Sequence, residues 1–113
     1  MHEISVLQQV INTCRDVAKE NDVENIKVVT LNVGELTGYL PVFFYEYFPI
    51  ITKDEKLFED TELKIILTKG EGLCSDCGAM YNIMAREGKC PKCGSRNKKI
   101  IGGQAFTLEE IVV

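Results

Sequence analysis

Two copies of one short stretch constrain this chain more than anything else in it: Cys74-Ser-Asp-Cys77-Gly78 and Cys90-Pro-Lys-Cys93-Gly94, with twelve residues between the pairs. A two-residue spacer lets both thiolates of a pair reach one ion around a tight turn. The glycine that follows permits the positive φ such turns often need. Two such turns at the tips of a hairpin supply four sulfurs in a tetrahedron, the geometry Zn²⁺ accepts at about 2.3 Å. Four unrelated core cysteines would not repeat so regularly. A single redox iron fits the same knuckles, but nothing else in the chain suggests electron transfer, so zinc is the predicted ion. Four protein sulfurs leave no open position for water, which makes the site structural. In so short a module the metal is expected to be needed for folding. Lys89, Lys92, Arg96, Lys98 and Lys99 lie close in sequence and offset the charge of −2 left by four thiolates and one Zn²⁺.

The rest of the chain has the opposite electrostatic character. Residues 1–72 carry a net −6 and residues 73–101 a net +4, a sign change where the first knuckle begins. That change predicts two structural units. No apolar run approaches the roughly 18 residues of a membrane span. The opening MHEISVLQQV has neither a basic leader nor an apolar h-region, so the chain is expected to stay in the cytoplasm with its first residue intact. Its five cysteines should then be thiols or metal ligands. Cys14 falls on the apolar face of a helix and reads as a small buried hydrophobe.

Leu7, Val10, Ile11, Cys14, Val17 and Ala18 recur at helical spacing from Ile4 to about Lys19, predicting a helix; Ser5 and Gln8 offer a capping box unless the helix begins earlier. Ile26–Val33 reads as a strand ended by Gly34, and Pro41 as the first residue of an aromatic helix carrying Phe43, Phe44, Tyr47, Phe48 and Ile51. Glu62–Thr68 alternates as a second strand. Gly102-Gly103 makes a joint, and Gln104–Val113 reads as a third strand whose alternation breaks at Glu109-Glu110, predicting a bulge. A terminal strand after the cysteines needs a partner edge in the sheet of residues 26–68. The cysteine module is therefore predicted to be an insertion within an α/β domain.

The first three residues form a second candidate site. His2 is the only histidine and stands beside a free amine. The Met1 amine, the amide nitrogen of His2 and its imidazole can close two fused chelate rings, with Glu3 adjacent as an oxygen donor. Such nitrogen and oxygen donors suit Ni²⁺ or Cu²⁺ better than a zinc tetrahedron. A lone histidine near a terminus is more often a solvated side chain.

The initial MHE, the VGELTG turn after the first strand, the aromatic helix, the LKI strand and the CSDCG…CPKCG knuckles together resemble the HypA/HybF family of nickel-incorporation proteins. The match runs through nearly the whole chain in the family's order. The resemblance implies an α+β fold: two helices with a small mixed three-stranded sheet, formed by residues 1–72 plus 102–113 as a nickel-binding domain. Residues 73–101 would be an inserted zinc-ribbon-like four-cysteine module. It implies delivery of Ni(II) for maturation of [NiFe]-hydrogenase, and in some organisms of urease, without enzymatic activity. Expected partners are a HypB-type GTPase and the hydrogenase large subunit or its maturation complex. Carried over by position, His2, the Met1 amine and Glu3 are the nickel ligands, and Cys74, Cys77, Cys90 and Cys93 the zinc ligands. The chain departs from the family in YLPVFFYEYF, which is unusually aromatic and has Leu40 where an acidic residue would precede the proline, and in a looser FTLEEIVV strand.

Two other classes fit parts of the sequence. A zinc-ribbon nucleic-acid binder would use the basic residues 86–99 with Tyr81 as a stacking group, but the remainder of the chain is acidic and the thiolates already balance those cations. A redox or regulatory protein using the knuckle sulfurs reversibly is the third reading.

Overall fold

The computed structural model describes residues 2–113. Helix α1 spans His2–Glu20, strand β1 Val28–Gly34, helix α2 Pro41–Ile51 and strand β2 Glu62–Thr68; β3 (Glu71–Cys74), β4 (Met80–Asn82), β5 (Lys98–Gly102) and β6 (Phe106–Val112) follow. They form two sheets, β2-β1-β6 and β4-β3-β5. In the first, β1 is parallel to β2 and antiparallel to β6, so the expected mixed three-stranded sheet is present. No described helix is long and apolar enough to cross a membrane.

The register of β6 shows how sequence becomes core. Val28, Val29 and Thr30 pair with Val112, Ile111 and Glu110 in step, but Leu31 then pairs with Leu108. Glu109 is the extra residue, at the predicted bulge. Without it Leu31 would face Glu109, and the β6 side chains beyond that point would swap faces. With it, Ile111, Leu108 and Phe106 all join Val29, Leu31 and Val33 on the face that packs against Leu7, Val10, Ile11, Cys14 and Ala18 of α1 and Phe44 and Phe48 of α2.

Several expected boundaries are corrected. The first helix begins at His2, which puts Ser5 inside the helix and removes its capping box. Within that first turn the Glu3 carboxylate accepts the Leu40 N–H at 3.1 Å. Ile26 lies outside β1, because its N–H donates to the Leu57 carbonyl at 2.9 Å. The third strand starts two residues late, at Phe106, after the Ala105 carbonyl accepts the Gly34 N–H at 2.8 Å. Pro41 does open α2, where a missing N–H costs nothing, whereas Pro49 lies inside the helix and has no N–H to give the Tyr45 carbonyl.

Cys14 is fully buried in this core, and desolvation pushes its thiol from 9.0 up to about 11. The folded state thus holds a proton that the unfolded chain releases above pH 9. Stability should be unaffected below pH 8, fall between pH 9 and 11, and be lower by roughly 2–3 kcal/mol beyond that. Urea titrations of the wild type and Cys14→Ala at pH 8 and 10.5 check this: the extra alkaline loss must vanish in the variant.

The cores are strung out along the molecule. The radius of gyration is 17.7 Å and the extents are 55 × 25 × 18 Å, against about 13 Å for a compact chain of this size. The second core is small: Cys74, Tyr81 and Cys90, with Ala79 and Ile83 against them.

Candidate metal centre

The two knuckles are built alike from backbone bonds. In the first, Gly78 N donates to Cys74 O at 3.0 Å and Cys74 N to Ala79 O at 2.8 Å. In the second, Gly94 N donates to Cys90 O at 2.9 Å and Cys90 N to Ser95 O at 2.9 Å. Each turn needs a left-handed residue at its fifth position, and Gly78 and Gly94 take φ of +76° and +75°; any side chain there would strain the turn. The knuckles face one another because β3 ends at Cys74 and pairs with both β4 and β5, while Ser75 N donates to Asn97 O at 3.0 Å across them.

This framework gathers all four predicted sulfurs. Their Sγ atoms lie within 4.8 Å of one another, with Cys74–Cys93 and Cys77–Cys90 each at 3.5 Å. A regular tetrahedron with bonds of about 2.3 Å has edges of roughly 3.8 Å, so the donor set fits one tetrahedral ion. A disulfide would need about 2.05 Å, and all five cysteines are free thiols. Cys74 and Cys90 are buried and Cys77 and Cys93 exposed.

The local charges point to a cation as well. Backbone N–H groups, that of Cys93 first and that of Lys92 next, bring the Cys90 thiol down to about 6. The Ser95 N–H favours a thiolate at Cys93, but the neighbouring sulfurs, Cys74 first and then Cys77 and Cys90, push that thiol up to about 12. One thiolate is easily formed here and four are not, without positive charge between them. The arrangement binds a soft, thiophilic ion with four protein ligands and offers no free position for chemistry. Tyr81, considered as a base-stacking group, is instead 6% exposed. Its hydroxyl donates to the Gly88 carbonyl at 3.2 Å, so it has no ring face to offer nucleic acid.

The N-terminal candidates are arranged differently. His2 is exposed at the start of α1, and the Met1 amine lies outside the described residues. Glu3 is buried with its carboxylate on Leu40. The Leu40 N–H, and secondarily its own N–H, hold that carboxyl below its ordinary range against the opposing effect of burial. Among the described residues the four cysteines are the one group of three or more His, Cys, Asp or Glu side chains whose donor atoms converge. Sequence reasoning missed the contacts of Glu35 with Gly70 and Asn82, which join the two sheets.

A family model described as hydrogenase/urease nickel incorporation, metallochaperone, hypA matches residues 1–113. The chain is 33% identical over 66 residues to the hydrogenase maturation factor HypA of Methanocella arvoryzae, an alignment covering 58% of each protein and so less than two thirds of that relative. The solution structure of the Ni metallochaperone HypA from Helicobacter pylori superposes with a TM-score of 0.63 at 29% identity, covering 97% of this chain and 95% of that one. A second solution structure, of a HypA protein, gives 0.68 at 30% identity, covering 99% and 95%. With its four-cysteine centre and a family match from end to end, the chain belongs to the HypA family of nickel-incorporation metallochaperones.

Proposed function

We propose that this protein binds Ni(II) at its N-terminus and delivers it for maturation of [NiFe]-hydrogenase, while Cys74, Cys77, Cys90 and Cys93 hold a structural zinc. The observation that carries the reading is the family match along all 113 residues, including the initial Met-His-Glu. The Met1 amine, the amide and imidazole nitrogens of His2 and the neighbouring Glu3 form the proposed nickel site. His2 is the chain's only histidine and is exposed, so its imidazole is accessible to an incoming ion. With the His2 side chain facing solvent and exchangeable waters completing the shell, such a site would suit a carrier, since delivery requires release.

The division of labour follows the chemistry of the donors. Residues 1–72 with 102–113 would carry nickel, and residues 73–101 would form the zinc unit inserted between them. The protein would work in the cytoplasm with a HypB-type GTPase and the hydrogenase large subunit or its maturation complex, and urease is a further candidate recipient. The test is nickel titration of the untagged protein, of a version with a few residues added before Met1, and of His2→Ala. One nickel per chain is expected in the first and none in the other two, with zinc retained in all three. Equal nickel binding by all three removes the proposed site.

A further inference from the structure

The turn that follows β1, in Val33-Gly-Glu-Leu-Thr-Gly38, has no role in either metal site, yet it touches both linkers of the cysteine module. The four-cysteine module leaves the β2-β1-β6 sheet through Lys69-Gly70 and returns through Gly102-Gly103. Two single strands joined through glycines would be expected to swing. What opposes swinging is this turn. Leu36 N donates to the Gly103 carbonyl at 2.8 Å, and the Leu36 side chain lies over Gly70, where an added Cβ would sit 2.5 Å from its Cγ. Gly103 takes φ +88°, and its own Cβ would fall 2.5 Å from the Gly70 Cα, so only glycine permits the two linkers to touch.

At the centre is one oxygen. Glu35 Oε1 accepts the Gly70 N–H at 3.0 Å on the outgoing linker and Asn82 Nδ2 at 3.2 Å on β4 of the module. Asn82 is held for this: its Oδ1 accepts the Ala85 N–H at 2.7 Å, which fixes the amide with Nδ2 turned to the carboxylate. Beside it, Ile83 N donates to the Gly70 carbonyl at 2.8 Å. A carboxylate with two N–H donors is a charge-assisted and directional joint. It is also one a neutral carbonyl oxygen could reproduce in shape.

We propose that Glu35 is a positioning residue whose Oε1, by bonding Gly70 and Asn82 together, sets the orientation in which the four-cysteine module is carried on the α/β sheet. The proposal is independent of where nickel binds, so it can fail while that reading stands, and the reverse. It makes the module a fixed arm, with both of its faces presented at a defined angle to the end that carries His2.

The experiment measures residual dipolar couplings on the zinc-loaded, nickel-free full chain. In the wild type, amides of both sheets should fit one alignment tensor. Glu35→Ala should split them into two tensors, with the module's the smaller in magnitude, while zinc stoichiometry stays at one. Asn82→Ala, which removes one of the two bonds, should shift the module's tensor in the same sense but less. Glu35→Gln keeps an oxygen at the same place and should restore the shared tensor. A residue that only stabilised the fold would lower the melting temperature in Glu35→Ala and leave the orientation alone. Two sheets still sharing the wild-type orientation in Glu35→Ala would overturn the proposal. If Glu35→Ala does not fold, Asn82→Ala decides by the same criterion.

Discussion

Chelating the metal from the four-cysteine module should unfold residues 71–102 and leave the β2-β1-β6 sheet and both helices in place. The module's core holds three buried side chains, Cys74, Tyr81 and Cys90, two of them the proposed ligands. So small a core cannot offset the conformational entropy of ordering the segment, whereas in a module of this kind the free energy of binding a structural zinc is itself folding free energy. The host sheet differs, since twelve buried residues form its core without any ligand. Amide spectra recorded during chelation should lose the dispersed signals of residues 71–102 while those of Val29, Leu31 and Val33 persist. A module that kept its dispersion after metal removal would sink the structural role. Metal analysis should give one zinc per chain, and the colour of a thiolate-bound iron would point to the rival ion.

The second large effect is the dependence of nickel binding on pH. Ni²⁺ must displace the amide proton of His2 and any proton held by the α-amine or the imidazole, so affinity should fall at least about tenfold for each unit by which the pH drops. Extending the chain before Met1 removes the amine altogether, and with it the two fused chelate rings. Calorimetric titrations at pH 6, 7 and 8 read both effects. A flat profile, or one unchanged by the extension, would mean that nickel is held by groups other than these.

The elements legible in the sequence are those whose signal is local. Glu62–Thr68 alternates and is bounded as expected, Pro41 marks the first turn of α2, and the knuckle spacing foretells the convergence of four sulfurs because the turn geometry is contained in five residues. Even the bulge at Glu109 could be read, since two adjacent glutamates cannot alternate. Where reading failed, a partner far along the chain decided. Ser5 looks like a cap, but the helix already runs from His2, and the Glu3 carboxylate in its first turn reaches the amide of Leu40. Ile26 looks like strand until Leu57 takes its N–H. Glu35 is silent in the sequence, because Asn82 stands 47 residues away and nothing in either neighbourhood announces the meeting. Likewise the exposure of Tyr45 and Ile50 on α2 is hidden in a helix that is apolar nearly all round.

The contact between the two linkers bears on what the host sheet requires of the chain between them. Since a Cβ on Gly103 would come within 2.5 Å of the Gly70 Cα, the two α-carbons are separated by about one peptide step, roughly 3.8 Å. A polypeptide that passed directly from the one to the other would complete the three-stranded sheet with no gap to bridge. Joining Gly70 directly to Gly103 would therefore shorten the chain without pulling β2 and β6 away from β1.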